Sequence, residues 1–183
     1  MILRTGWILF ALTATLAAQE PPAGPAEHVK DTEATQARPA PGGEATLWMN
    51  PLKWTWVKSD REDTSIYLHH SGRAQARLIV LPEGRKPEEQ LTETLERIRK
   101  VEPTAHVGFE EPRIVNGAPM LCVQIILGDS PEKEVVYYAY LYGDDRRGVQ
   151  LFTIAQRSAM TDLYVELTSL LNGLEIAQGA GAQ

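Results

Sequence analysis

The sequence predicts an α+β domain in which an antiparallel sheet packs with two helices, in the order βββαββββα. The strongest indication is the stretch from residue 119 to residue 156, which contains three apolar runs separated by short turn-forming clusters. The other two indications are amphipathic patterns of helical period, one before this stretch and one after it. With 183 residues and 43% hydrophobic content, the chain is large enough for one domain with a core.

The central stretch predicts an antiparallel meander with strands at residues 120–127, 135–142 and 149–155. These runs are rich in Val, Ile, Tyr and Phe, whose side chains pack well on a pleated surface. The clusters between the runs contain Gly, Asp, Ser and Pro, which favour turn conformations. A further strand at residues 107–115 precedes the meander, and Asn116-Gly117 predicts a hairpin turn between them.

Three shorter strands are predicted nearer the N-terminus, at Trp54–Val57, at residues 65–70 and at Ala74–Leu81. Trp48, Trp54 and Trp56 lie close together in this part of the chain. Such a density of tryptophan is typical of packing in the core or at a domain edge. The alternative is a platform on which a carbohydrate or another small ligand stacks.

Two amphipathic helices complete the order. The first is predicted at residues 87–101, because Pro87 suits a first turn and the apolar residues recur at helical spacing. The second begins at Ser158 or Thr161 and ends near residue 171, with Glu166 expected on its exposed side. The apolar residues of the two helices are Leu91, Leu95 and Ile98 in the first, and Leu163, Leu167, Leu170, Leu171 and Leu174 in or just after the second.

The ends of the chain differ from the domain in composition. Residues 1–18 resemble a secretory signal peptide, with Arg4 before an apolar run and small residues at Ala17 and Ala18, where cleavage is expected. This run is shorter than the about 20 apolar residues of a membrane-spanning helix. We therefore expect an exported chain, periplasmic or extracellular, with no membrane span after cleavage.

Residues 19–46 are rich in Pro, Ala, Gly, Glu and Thr and show no apolar periodicity. This composition predicts a disordered tether, whose deletion would change stability little, or alternatively a recognition segment for a partner. The domain is expected to span residues 47–177, followed by a frayed tail at residues 178–183.

Composition excludes some classes of function. The formal net charge of −6, without a basic run longer than two residues, argues against nucleic-acid binding, which requires a basic surface. The single cysteine, Cys122, excludes an intramolecular disulfide. Because it lies within a predicted strand, Cys122 is interpreted as a small buried apolar residue.

No residue pattern indicates catalytic chemistry. His69-His70 precedes Ser71, but adjacent strand residues point to opposite faces and cannot easily bind one metal. Asp144-Asp145 lacks the spaced oxygen ligands of a calcium site and is interpreted as a solvated hairpin tip. We therefore predict no catalytic, cofactor-binding or metal-binding residue.

Aromatic residues supply the candidate binding surface. Tyr138, Tyr140 and Tyr142 alternate along one strand and so share one face of the sheet. Packing in the core is one interpretation. If a helix covers only part of this face, the tyrosines form, together with Trp54 and Trp56, an amphipathic binding surface.

The order of elements behind a secretory signal resembles the PsbP-like family over residues 47–176. The features that carry the resemblance are the Trp54–Val57 strand, the Ala74–Leu81 strand, the helix from Pro87, the Asn116-Gly117 turn and the Leu-rich closing helix. The resemblance implies a sheet sandwiched by helices in an α/β/α arrangement. It also implies a binding or assembly role, since the photosystem II subunit of this family stabilises a membrane complex and a nuclear relative binds a small GTPase.

The resulting hypothesis is a secreted or periplasmic, non-enzymatic module that binds another envelope or secreted protein or stabilises a complex. One alternative is a small-ligand or glycan binder that uses the tryptophans and tyrosines. Another is a metal-dependent hydrolase whose residues are distant in sequence.

Overall fold

A computed structural model describes residues 25–177. Within this range the chain forms eleven strands and two α-helices. The elements are β1 (Glu27–His28), β2 (Gln36–Pro39), β3 (Ala45–Met49), β4 (Trp54–Val57), β5 (Thr64–His69), β6 (Ala74–Leu81), α1 (Pro87–Arg99), β7 (His106–Val115), β8 (Ala118–Leu127), β9 (Val135–Gly143), β10 (Gly148–Gln156), α2 (Arg157–Asn172) and β11 (Leu174–Ile176). The predicted signal peptide and C-terminal tail lie outside the described residues.

Eight strands form one sheet in the order β1-β7-β8-β9-β10-β6-β5-β4. All pairs are antiparallel except β1 with β7. The meander β8-β9-β10 lies at its centre, with Cys122 opposite Tyr140 and Tyr142 opposite Val149. From β4 to α2 the chain runs through three strands, α1, four strands and α2, and within residues 25–177 three strands precede this series and one follows it.

The remaining strands form a second, three-stranded sheet in the order β11-β3-β2. This sheet corrects the expectation that the whole segment 19–46 is a disordered tether, because β2 pairs with β3 from Gln36 to Pro39. Ala34 and Ala40, on either side of β2, are both buried, with 5% exposure. The segment has no apolar face of its own, which is why its composition alone predicted disorder. It is ordered because it pairs with β3.

The two helices pack against alternating residues of the same strands. Leu163, Leu167 and Leu170 of α2 share a cluster with Tyr140 of β9, whereas Leu91 of α1 shares one with Ala139. Because neighbouring strand residues point to opposite faces, the helices lie on opposite faces of the large sheet. Neither helix, nor any other in residues 25–177, has the length and apolar composition needed to cross a membrane.

Two amide side chains position these elements. The side chain of Gln90, fully buried in α1, donates to the carbonyl oxygens of Arg85 (2.8 Å) and Tyr142 (2.7 Å) and so joins the helix to β9. In the turn between β7 and β8, Asn116 and Gly117 have φ values of 46° and 79°, as the predicted hairpin turn requires. The Asn116 side chain also donates to the carbonyl oxygen of Asn172 (2.8 Å), at the end of α2.

Candidate functional site

Helix α1 covers only part of its face of the large sheet. It packs on β8 and β9 and reaches Phe152 of β10. The sheet continues beyond it through β6, β5 and β4. On these strands Leu68 is 44% exposed and Val57 is 37% exposed, which are high values for apolar residues of a sheet.

The strand register places these residues and their neighbours side by side on the sheet face against which α1 packs. Val57 lies opposite Ile66, and Ile66 lies opposite Arg77. Arg77 in turn lies opposite Phe152, which packs in the α1 cluster. We name this region the open sheet face, and its residues are Thr55, Val57, Ile66, Leu68, Arg77 and Ile154.

The open sheet face has a hollow at each end. The hollow beside α1 has a volume of about 130 Å³, and Ile98, Tyr137 and Phe152 are among the residues that line it. The other, of about 450 Å³, lies where Leu68 approaches the β5–β6 turn. Ile154 lines both hollows, so the face is a continuous uneven surface rather than a flat one.

The charge of the open sheet face is positive, although the chain as a whole carries −6. Arg77 lies on the face, and Arg97 of α1 lines the hollow beside it. Neither arginine makes an ion pair within residues 25–177. Since β4, β5, β6 and β10 contribute no acidic residue, these guanidinium groups remain available to a partner.

The structure separates the predicted binding residues from one another. Trp54 is 2% exposed and its ring packs edge-on against His69 in the core. Tyr140 is fully buried, and its hydroxyl donates to Oδ1 of Asn172 at 2.7 Å. These two residues therefore cannot belong to a surface. Trp56 is 39% exposed, but it points away from the open sheet face because it alternates with Val57.

Helix α2 covers the tyrosine face, so the predicted surface does not form there. Tyr138 is half-buried, with its ring centroid 5.8 Å from that of Tyr164 on α2. Its hydroxyl accepts from Nε2 of Gln124 at 2.6 Å. Tyr142 is also half-buried, and its hydroxyl donates to Asp144. Core packing, the first interpretation of these tyrosines, describes their positions better.

His69 contacts both Ser71 and a residue that is distant in sequence. Nδ1 of His69 is 2.8 Å from Oγ of Ser71, and its Nε2 is 2.6 Å from Oε2 of Glu166 on α2. The second contact has the distance of an ion pair, but the ring N–H is not aligned with the oxygen, so the interaction is electrostatic rather than a linear hydrogen bond. The Ser71 amide donates to the same Nδ1, so these contacts fix the β5–β6 turn and attach it to α2.

Asp144 does not have free oxygens for a cation. It accepts from the Tyr142 hydroxyl, from the amides of Arg146 and Arg147 and from the Arg147 side chain. Burial opposes ionisation, but these donors outweigh it and lower the pKa of Asp144 to about 2. In the described part of the chain, no three His, Cys, Asp or Glu residues are grouped as metal ligands would be.

Cys122 is 1% exposed on β8, as expected for a small apolar residue of the core. Burial raises the pKa of its thiol to about 11, an effect only partly opposed by the nearby charge of Arg113. The thiol is therefore protonated at neutral pH and is a poor nucleophile.

The sequence interpretation missed the open sheet face. Its signal was the alternation along β5 and β6, which placed Ile66 and Leu68 on one side of β5 and Arg77 and Ile79 on one side of β6. This alternation does not reveal which side a helix covers, or how far that helix reaches. Only the position of α1 over β8 and β9 leaves the residues of β4, β5 and β6 open.

Comparisons with known proteins place the fold. No family model matches the sequence, and no curated protein resembles it significantly. Among solved structures, the cyanobacterial PsbP protein (CyanoP) of Synechocystis has a TM-score of 0.60 at 7% identity, over 80% of this chain and 95% of that chain. The Ran-binding protein Mog1p of Saccharomyces cerevisiae has a TM-score of 0.55 at 11% identity, over 77% of this chain and 94% of that chain. The chain thus has a PsbP-like fold, as its sequence predicts.

Proposed function

We propose that this protein is a non-enzymatic module that binds another protein through the open sheet face. The observation that carries the proposal is the pair of exposed apolar residues Val57 and Leu68, with half-buried Ile66 beside them, on the part of the sheet face that α1 leaves uncovered. Exposed apolar patches of this kind mark interaction sites. We propose a layered arrangement in which the large sheet lies between α1 and α2. An element of the partner then packs on the open sheet face, beside α1.

The chemistry of the face defines the partner. Apolar side chains are expected to pack against Leu68 and to enter the hollows on either side of Ile154. Acidic side chains are expected to pair with Arg77 and Arg97, because arginine is enriched in protein interfaces and pairs with carboxylates in two-point geometry. The partner surface is therefore apolar with an acidic border.

The structural relatives are consistent with a protein partner. One is named as a Ran-binding protein and the other as a PsbP protein. Their low identity transfers the fold and not the binding residues, so the proposal for this chain rests on its own open sheet face.

A pair of substitutions tests this proposal. Leu68→Glu and Arg77→Glu each change the open sheet face, whereas Val165→Glu places the same charge on α2, on the opposite side of the sheet, where Val165 is 73% exposed. Each tagged variant is expressed in the source cells, and co-purified proteins are quantified by mass spectrometry. We expect Leu68→Glu and Arg77→Glu to lose at least one protein that the wild type and Val165→Glu both retain.

Thermal unfolding of each variant confirms that it is folded before its partners are compared. The proposal is wrong if all four proteins retain the same partners, or if Val165→Glu alone loses them. If Val165→Glu alone loses partners, the binding surface lies on α2. If all four proteins retain the same partners, the open sheet face binds none of them.

We infer also that the protein acts after export, in the periplasm or outside the cell, where it stabilises an envelope complex. The support is the sequence of residues 1–18, with Arg4 followed by an apolar run and small residues. We expect N-terminal sequencing of protein from fractionated cells to find a mature chain beginning just after Ala17 or Ala18. A chain beginning at Met1 in the cytoplasmic fraction would contradict this inference.

A further inference from the structure

A second feature lies on the other side of β4 from the open sheet face. Between the end of β2 with the segment that follows it and the β4–β5 hairpin, the protein has a cavity of about 730 Å³. This volume falls within the about 300–1,000 Å³ of small-molecule sites. The residues that line it include Arg38, Pro39, Pro41, Trp56, Lys58 and Ser65.

Two buried hydrogen-bond donors without acceptors lie at or just behind the wall of this cavity. Nε of Arg38 and the hydroxyl of Tyr67 are buried, and neither has a hydrogen-bond partner among residues 25–177. Tyr67 is fully buried, with 0% exposure. Buried polar groups are nearly always paired, because an unpaired one has lost its hydrogen bonds to water without replacement. Two such donors close together favour a ligand that brings an acceptor.

The Tyr67 hydroxyl lies close to two residues of this cavity. Burial raises the pKa of Tyr67 to about 12, against the opposing effects of the Ser65 hydroxyl and the Arg38 charge. Tyr67 does not itself line the cavity, but both of these neighbours do, so its hydroxyl lies just behind the cavity wall. At neutral pH this hydroxyl keeps its proton and is a donor.

The cavity also has a flat apolar wall. Trp56 is 39% exposed, and the guanidinium carbon of Arg38 lies 5.6 Å from the centroid of its ring. Pro39 and Pro41 are also among the lining residues. This wall suits a ring or another apolar group, because tryptophan offers a large contact area.

Charges of both signs surround the entrance. Arg61 is held by Asp63, to which its Nε and Nη2 donate at 3.0 and 2.7 Å. Lys58, Asp60 and Glu62 are exposed. The entrance thus provides no strong preference for one sign of charge, and selectivity must come from the buried donors Arg38 and Tyr67.

We propose that this cavity binds a small organic acid, whose carboxylate accepts from Arg38 and Tyr67 and whose apolar body lies against Trp56. The carboxylate supplies the acceptor that both donors lack. The proposal is independent of the open sheet face, since Trp56 and Val57 point to opposite sides of β4.

Titration of the purified protein with phenylacetate, followed by two-dimensional ¹H–¹⁵N NMR, tests the proposal. Phenylacetamide is the matched neutral probe, because it has the same shape without the charge. We expect phenylacetate to cause saturable shift changes confined to residues 38–41 and 56–67. Phenylacetamide is expected to bind at least about tenfold more weakly, since a hydrogen bond to a charged group contributes more than a neutral one.

Three variants assign the contacts. Arg38→Gln is expected to weaken phenylacetate binding at least about tenfold, and Tyr67→Phe by about three- to tenfold. Arg61→Gln, at the entrance, is the control and is expected to leave the Kd unchanged. Thermal unfolding shows whether each variant is folded. If Arg38→Gln does not fold, the proposal is still tested by Tyr67→Phe and by the comparison of phenylacetate with phenylacetamide. Absent or non-saturable shifts, or equal binding of the two probes, would overturn the proposal.

Discussion

At the scale of single residues, Asp144 shows how one carboxylate fixes a hairpin. Its two oxygens accept four hydrogen bonds between the end of β9 and the start of β10. Because these donors hold the ionised form, the pKa of Asp144 is lowered from 3.8 to about 2 despite the opposing effect of burial. A carboxylate with a lowered pKa stabilises the folded state above its unfolded pKa, and this contribution is lost as the pH falls through the folded value.

We therefore predict that Asp144→Asn reduces the free energy of unfolding by about 1–2 kcal/mol at pH 7, allowing for partial exposure of the side chain. The difference from wild type should shrink between pH 3.8 and about 2, because the wild-type carboxylate becomes protonated there. Urea titrations at pH 7, 5, 3 and 2 measure this difference. Asp145→Asn, at the exposed neighbour, is the control and should have little effect. A difference that stays constant down to pH 2 would contradict the prediction.

At the scale of elements, α2 confirms the helical stripe but not its expected exposed side. Leu163, Leu167 and Leu170 are all buried, with Leu167 1% exposed. Glu166, expected in solvent, instead contacts Lys53 at 2.5 Å and His69 at 2.6 Å. Although its partial burial acts in the opposite direction, the contacts with Lys53 and His69 lower the pKa of Glu166 below its usual value.

Leu167→Ala should consequently cost about 2–5 kcal/mol of stability, since it combines lost burial with a cavity. Val165→Ala is the matched control, because Val165 is 73% exposed on the same helix and should cost far less. Glu166 is not a suitable control, since its substitution would leave His69 without its acidic neighbour. Equal shifts in the urea midpoint of the two variants would mean that α2 does not bury this face.

Helix α1 is held to the sheet by a close approach of backbone. A Cβ added at Gly143 would lie far inside van der Waals contact of the Arg85 carbonyl oxygen and close to Nε2 of Gln90. The same Gln90 side chain joins Arg85 to Tyr142, so no side chain fits between the two segments.

We predict that Gly143→Ala destabilises the protein by about 2–4 kcal/mol, because the segment before α1 must move. Gly72→Ala serves for comparison, since Gly72 has a φ of 71° but open space around it. Gly72→Ala should reduce the free energy of unfolding by only about 1–2 kcal/mol, the cost of an alanine in the left-handed conformation. Thermal and urea unfolding of both variants provide the ranking, and a larger loss for Gly72→Ala would contradict it.

At the scale of the whole molecule, the segment before β3 is part of the fold. Four residues of β2 pair with β3, and β1 adds to the edge of the large sheet beside β7. Lys30, between β1 and β2, contacts residues on other elements, with its backbone amide donating to Oδ1 of Asn116 and its ammonium 3.5 Å from the Trp48 ring centroid. This segment therefore connects both sheets.

Removal of the segment should lower stability, contrary to what its composition predicts. A chain that begins at Pro41 lacks β1 and β2, and we expect its Tm to fall by at least about 5 °C relative to a chain that begins at Pro25, since each kcal/mol shifts the Tm of a domain this size by several degrees. Differential scanning calorimetry of the two chains makes the comparison. Equal Tm values would show that the pairing of β2 with β3 contributes nothing.

The sequence by itself determined the strands from β4 to β10 and both helices, because side-chain periodicity and turn residues act locally. The Asn116-Gly117 turn, the leucine stripe of α2 and the buried position of Cys122 all follow from such local patterns. A PsbP-like fold was predictable for the same reason, since it is defined by the order of these elements.

Only the tertiary structure decided which surfaces are covered. Alternation along β9 identified a tyrosine face but not that α2 covers it, and alternation along β5 did not reveal that α1 stops short of Leu68. Residues 36–39 have no apolar face, so their order depends on β3, to which β11 also pairs. Coverage and pairing depend on contacts between segments far apart in the chain, and the pattern of any one segment does not contain them.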